Sequence, residues 1–183
     1  MKDDSAPLSA SPEILESRPI HSGRVFDLVH EHIRLPSGLE QRLDVVLHGG
    51  AVAIAARTAE GKLLCVRQYR HATKTTLVEI PAGRLEPNED PASAARRELE
   101  EETGFRAGHW KFLGAFYAAP GFCSEQIHLF EATELELAGN ERLAPDEDEE
   151  LEVLELFPRE LLAQSDLDAK TWIAAAQVLL QTP

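Results

Sequence analysis

Long apolar runs are missing from this chain. No stretch of its 183 residues approaches the roughly 20 apolar positions needed to cross a bilayer. Cysteine is scarce as well: Cys65 and Cys123 are the two present, too few and too far apart in sequence for a disulfide framework. The opening, MKDDSAPLSASPEI, lacks the basic-then-apolar order of a signal peptide, and a reducing cytoplasm is the expected location. Positive charge is in deficit, with 18 Lys and Arg against 32 Asp and Glu and a formal charge of −14. Such a field disfavours nucleic acid and anionic membrane as partners. It also disfavours an anionic substrate, unless cations or local arginines reverse the field inside a site.

What is present suits a soluble globular protein with a real core: 43% hydrophobic and 27% charged residues, and a length that fits one domain with a small appendage. Residues 1–17 are rich in Ser, Pro and Ala and are expected to be loose. GRVFDLVHEHIRL and RLDVVLH flank the turn PSGLEQ, which predicts an antiparallel hairpin over residues 18–48. GGAVAIAAR, LLCVRQYR and TTLVEIPAG read as further strands, followed by a helix. WKFLGAFYAAPGF, EQIHLFEATEL and ELEVLELF are strands again, and DAKTWIAAAQVLLQ is a closing amphipathic helix. This order, without internal repeats, predicts a mixed α/β sandwich with helices on both faces of a sheet.

The first helix carries the strongest signal. Asp90-Pro91 supplies an N-cap and a first-turn proline, and Gly104 a C-cap glycine. Between them the chain crowds Glu98, Glu100, Glu101 and Glu102 onto a short segment where like charges repel. At about 100° per residue, Glu98, Glu101 and Glu102 share one arc, with Ala92, Ala95 and Leu99 to one side for packing. Glu100 is expected to point to solvent, and Arg97 to pair with Glu101 at i,i+4. Three hard carboxylates on one face suit Mg²⁺ or Mn²⁺, whose shells are completed by water and substrate phosphates. Bound cations would also supply the local positive field that the chain lacks.

The stretch GRLEPNEDPASAARRELEEETGF resembles the Nudix box at every fixed position: Gly83, Glu89, Arg97, Glu98, Leu99, Glu101, Glu102, Gly104 and Phe105. Its seven fixed identities would coincide by chance on the order of once in 10⁸ starts. The resemblance implies a Nudix-type α/β/α sandwich with a mixed sheet over residues 49–183, preceded by the hairpin arm. It also implies a metal-dependent hydrolase of nucleoside diphosphates linked to another moiety. Glu98 and Glu102 match the metal ligands, Glu101 a further ligand or metal-water partner, and Ala82 a backbone carbonyl that completes the shell. Glu89 matches a loop support and Arg97 an orienting group.

Outside the box, PGFCSE, with Pro120 sixteen residues after Gly104, resembles the loop of the ADP-ribose pyrophosphatase branch, which places Glu125 against the terminal ribose. VRQYR before EIPAG resembles the same branch, with Arg70 on the substrate phosphates and Arg67 structural. PDEDEELEV matches its acidic loop, aligning Glu147 with the general base and Glu149 with a metal or water ligand. The arm resembles one that related enzymes exchange in a homodimer, where Val25 and Phe26 would contact the base and His48 would lie near the rim. Leu43 departs from an Arg-Glu pair frequent in that branch. The expected substrates therefore extend from ADP-ribose to GDP-mannose and other nucleoside diphosphate sugars. Dinucleoside polyphosphates, nucleoside triphosphates and a non-catalytic ADP-ribose sensor remain the alternatives. Nucleophilic chemistry at Ser124 or Cys123 has no histidine partner to support it in the sequence.

Overall fold

The computed structural model describes residues 10–139, Leu143 and 150–181, which fall into two compact units. The smaller comprises the chain up to Gly49 together with Ala119–Glu125. It is an antiparallel meander of β1 (Glu13–Ser22), β2 (Phe26–Arg34) and β3 (Glu40–His48), in that order across the sheet. The period of two is visible along β2. Val29 and Ile33 are buried, while on the alternate positions His30 meets Asp44 at 2.7 Å, His32 meets Glu40 at 2.9 Å and Arg34 meets Glu13 at 2.8 Å. The 119–125 loop adds to β3, with the Val46 amide donating to Phe122 O (2.8 Å) and the Ser124 amide to Val46 O (2.9 Å). The expected hairpin is thus one strand larger. Glu13 to Ser17, assigned from composition to a loose tail, pair with β2 from Arg34 back to Glu31, with a register shift between Ile14 and Glu16. Polar β1 has an exposed face and little apolar alternation of its own; its pairing partner, not its composition, makes it a strand.

The larger unit holds β4 (Ala51–Ala56), β5 (Leu63–Arg70), β6 (Thr75–Glu79), β7 (Ala82–Arg84), α1 (Pro91–Thr103), β8 (Phe105–Tyr117), β9 (Gln126–Leu137), β10 (Glu152–Leu156), α2 (Pro158–Leu162) and α3 (Ala169–Gln181). Its strands form a mixed sheet in the order β7-β4-β9-β8, with β4 parallel to β9 and the other pairs antiparallel, and an antiparallel sheet β10-β5-β6. Every residue of β4 is buried, as a strand covered on both faces requires. Its odd positions, Ala51, Ala53 and Ala55, join Leu63, Cys65, Ile80 and Leu129 against Leu161 of α2 and Ala174, Ala175 and Val178 of α3. Its even positions, Val52, Ile54 and Ala56, join Leu64, Phe130 and Ala132 against Ala94, Ala95 and Leu99 of α1. The small side chains of β4 let both helical layers approach closely, and the α/β/α sandwich follows from that alternation. The short α2 was not anticipated; Pro158 sits at its first position, and Glu160 accepts from the Phe157 amide at 2.9 Å. No helix among the described residues is long and apolar enough to cross a membrane.

Candidate active site

The caps hold α1 where the sequence places it. Asp90 accepts from the Ser93 amide (3.1 Å), and Gly104 adopts the left-handed conformation with φ 74° and donates to Glu100 O. With Ala94, Ala95 and Leu99 fixed in the core, the adjoining face of the helix is turned toward β7. Two carboxylates meet that strand. The Ala82 amide donates to Glu102 Oε2 at 3.0 Å. The Glu98 carboxylate passes over Gly83 so closely that a Cβ at that position would sit 2.0 Å from it. The close approach of Glu98, not backbone freedom, is what favours glycine at this position.

Arg97 organises the remaining acids. Its Nε and Nη2 donate to the two oxygens of Glu89, each at 3.0 Å, its Nη1 to Glu98 Oε1 (2.7 Å) and Glu101 Oε2 (2.8 Å), and its Nη2 also to Arg84 O (3.2 Å). The planar fork makes this shared binding feasible, where a lysine could offer one point charge. Asn88, at φ 65°, turns the preceding loop, and Glu89 also accepts from the Glu86 amide at 2.9 Å. The Arg97 bonds hold the Glu89 carboxyl below the usual glutamate range, against an opposing effect of burial. The bond to Glu89, opposed by burial, and the contacts with Glu98 and Glu101 raise Arg97 above its ordinary value, so it remains a cation. The expected i,i+4 pair and the orienting role of Arg97 are both present.

Among the described residues, no three acidic, His or Cys side chains converge as a finished cation cage. The donor set nevertheless fits a hard divalent ion. Glu98 and Glu102 are nearly buried, both lie against β7, and Glu102 is fastened beside the Ala82 peptide. Without a cation, the charge of Glu98 and Glu101 is balanced by Arg97.

Glu100 departs from expectation. Instead of facing solvent it is 7% exposed. It accepts from Arg106 Nε (2.7 Å) and Nη2 (2.6 Å) and from the Leu143 amide (3.0 Å). The Arg106 bonds, opposed by burial and helped by the Leu143 amide, hold its carboxyl low. The helical arc correctly separates Glu100 from Glu98 and Glu102. What the arc could not show is that β8 turns back past the helix end and brings Arg106 to cover it.

Arg70, at the end of β5, donates from Nε (2.6 Å) and Nη2 (2.9 Å) to Glu79, a residue 2% exposed, and its own side chain remains 38% exposed. Lys170 of α3 binds the same carboxylate. Neither Glu79 nor Lys170 stood out in the sequence, because they lie 91 positions apart with no local pattern linking them. Arg67 pairs at the surface with Glu152. In the smaller unit, Glu125 lies 3.9 Å from the largely buried His48 imidazole. Ser124 Oγ accepts from the His48 amide, so its hydroxyl is engaged with main chain. Val25 and Phe26 are exposed. Burial pushes the Cys65 thiol up to about 12, which removes it as a nucleophile. Glu147 and Glu149 lie outside the described residues.

The NUDIX domain model matches residues 47–179. The chain is 41% identical over 177 residues to an ADP-ribose pyrophosphatase of Bacillus subtilis (strain 168), covering 94% of this chain and 95% of that protein. It is likewise 41% identical over 171 residues to a methanol dehydrogenase activator of Bacillus methanolicus, covering 91% and 92%. A crystal structure of an ADP compounds hydrolase superposes with a TM-score of 0.80 at 25% identity, covering 93% of this chain and 94% of that one. The carboxylate helix laid against β7, the glycine beneath Glu98 and a match spanning most of the chain make one conclusion: this protein belongs to the Nudix family.

Proposed function

We propose that this Nudix pyrophosphohydrolase cleaves the pyrophosphate bond of nucleoside diphosphate sugars, ADP-ribose foremost, with GDP-mannose and related compounds as further substrates. The observation that carries the reading is the placement of Glu98 and Glu102 against Ala82 and Gly83, within a chain similar along nearly its full length to an ADP-ribose pyrophosphatase. Glu98, Glu102 and the Ala82 carbonyl would hold a divalent cation, Mg²⁺ or Mn²⁺, with Glu101 and Glu149 as further ligands or water partners. When bound, that cation neutralises phosphate charge and acidifies water.

The chain's own groups do the rest. Arg70 binds the diphosphate through charge-assisted hydrogen bonds. Glu147 takes the proton from the attacking water, a general-base contribution of about 10²–10⁴-fold. Glu125 contacts the terminal ribose. Water oxygen bonds to one phosphorus as the bridging P–O bond breaks, so ADP-ribose yields AMP and ribose 5-phosphate. Val25 and Phe26 offer their exposed apolar surface to the base across a homodimer formed through the arm. A cytoplasmic location accords with the free cysteines.

The test is a panel of ADP-ribose, GDP-mannose, other nucleotide sugars, dinucleoside polyphosphates and nucleoside triphosphates, incubated with Mg²⁺ or Mn²⁺, with products identified by mass. AMP and ribose 5-phosphate from ADP-ribose support the proposal. Turnover confined to triphosphates or dinucleoside polyphosphates replaces it, and ADP-ribose binding without cleavage makes the protein a sensor.

A further inference from the structure

Glu79 is a glutamate with two cations and almost no solvent. Its 2% exposure would by itself push the carboxyl toward neutrality, yet the bonds from Arg70 and Lys170 hold it below the ordinary range. Lys170 in turn contacts Asp168 at 3.2 Å. Asp168 accepts from the Thr171 amide (3.1 Å) and hydroxyl (2.7 Å), and the Ile80 amide donates to Thr171 Oγ1 at 3.0 Å. The first turn of α3 therefore grips two consecutive residues, Glu79 and Ile80. Three residues beyond Glu79, Ala82 is bonded to Glu102. One short segment thus carries both the group that orients Arg70 and the backbone beside the acidic cluster.

Register explains why Arg70 needs this support. Arg70 pairs with Thr75 beside the turn of the β5–β6 hairpin, whereas Glu79 pairs with Val66 further from that turn. The two share a face of the hairpin, and the arginine reaches back along it to place both Nε and Nη2 on Glu79. A bidentate contact fixes the guanidinium plane, which a single bond would leave free to rotate.

We propose that Glu79 and Lys170 are positioning residues for diphosphate recognition: Glu79 sets the plane of Arg70, and Lys170 holds Glu79. This rests on the reading of Arg70 as a phosphate ligand. Lys170 touches no substrate; its effect passes through the carboxylate, and α3 thereby controls how the phosphates are received.

Steady-state kinetics with ADP-ribose on Arg70→Ala, Glu79→Gln, Lys170→Met, Lys170→Arg and the double variant Arg70→Ala/Lys170→Met provide the test, with thermal unfolding recorded for each. Lys170→Met is expected to raise KM by about tenfold with kcat little changed, a charge-assisted contact being lost at second hand. Lys170→Arg should recover much of that loss. The same Lys170→Met change should add nothing once Arg70 is alanine, because the residue through which it acts is gone. Additive losses in the double variant, or an unchanged KM in folded Lys170→Met, would overturn the positioning role and leave the activity standing. A silent Arg70→Ala, or a wild type inert toward every diphosphate, would instead overturn the reading beneath it, and this proposal with it. Should Glu79→Gln fail to fold, with two cations left on a neutral amide, the Lys170 series decides alone.

Discussion

The Glu98 carboxylate fills the space in which a side chain on Gly83 would begin, 2.0 Å from an ideal Cβ. The obstruction is the far end of a flexible side chain, so it can yield. Gly83→Ala should therefore fold with a stability loss of about 1 kcal/mol, while displacing the Glu98 carboxylate by about an ångström from its contact. A shift of that size at a reacting centre costs roughly 10²-fold in rate. Turnover of ADP-ribose beside the thermal midpoint checks this; an active, stable alanine variant would contradict it.

Glu98→Gln and Glu102→Gln should each remove most activity while leaving α1 folded, since Gln and Glu have similar helix propensity but an amide oxygen is a poorer ligand for a hard dication. Exposed Glu136 serves as the charge control, and Glu136→Gln should be silent. Chelation of divalent ions should abolish wild-type turnover. Mg²⁺ at about 100 times its dissociation constant should stabilise the wild type by about 2.7 kcal/mol and neither variant to that extent. Calorimetry with and without Mg²⁺ reads this independently of catalysis.

Glu100→Gln, by contrast, is a stability variant. It replaces a nearly buried acceptor of two Arg106 bonds and the Leu143 amide. Because Arg106 is more than half exposed, the expected cost is modest, about 1 kcal/mol. Urea unfolding measures it, and metal-dependent turnover of the folded fraction should persist.

Acid should destabilise the metal-free protein through the same contacts. The folded-state carboxyls of Glu89 and Glu100 are held low chiefly by Arg97 and Arg106, and that of Glu79, despite burial, by Arg70 and Lys170. A depressed folded-state value means that the unfolded chain binds protons first, so stability is complete above the ordinary glutamate value of 4.5 and falls as pH drops below it. Urea midpoints recorded down through that range should decline, and Glu100→Gln should decline less steeply.

Homodimerisation is expected from the arm, whose Ile14, Ile20, Val25, Phe26, Leu39 and Leu47 are all more than 40% exposed in a single chain. Light scattering at micromolar concentration that shows only monomer would rule it out.

What the sequence determined by itself is local in its physics. The helix and its caps depend on neighbours within four residues, and the spacing of Glu98, Glu101 and Glu102 places them on one arc whatever surrounds them. The alternation of β4 between two cores follows from period two and a fully apolar run. The tertiary structure decided everything in which a charge finds a distant partner. Glu100 is equivalent to its neighbours in composition, and only the return of β8 buries it beneath Arg106. The β1 strand has a polar sequence and becomes a strand because β2 offers it an edge. Arg70 was legible as a candidate ligand, but its hold on Glu79 needs the β5–β6 hairpin in register, and that of Lys170 on the same carboxylate needs α3 folded against the sheet. Hydrophobic periodicity is written along the chain because each residue meets the core on its own account. A buried ion pair exists only when two segments arrive together, as Glu79 and Lys170 do from 91 positions apart.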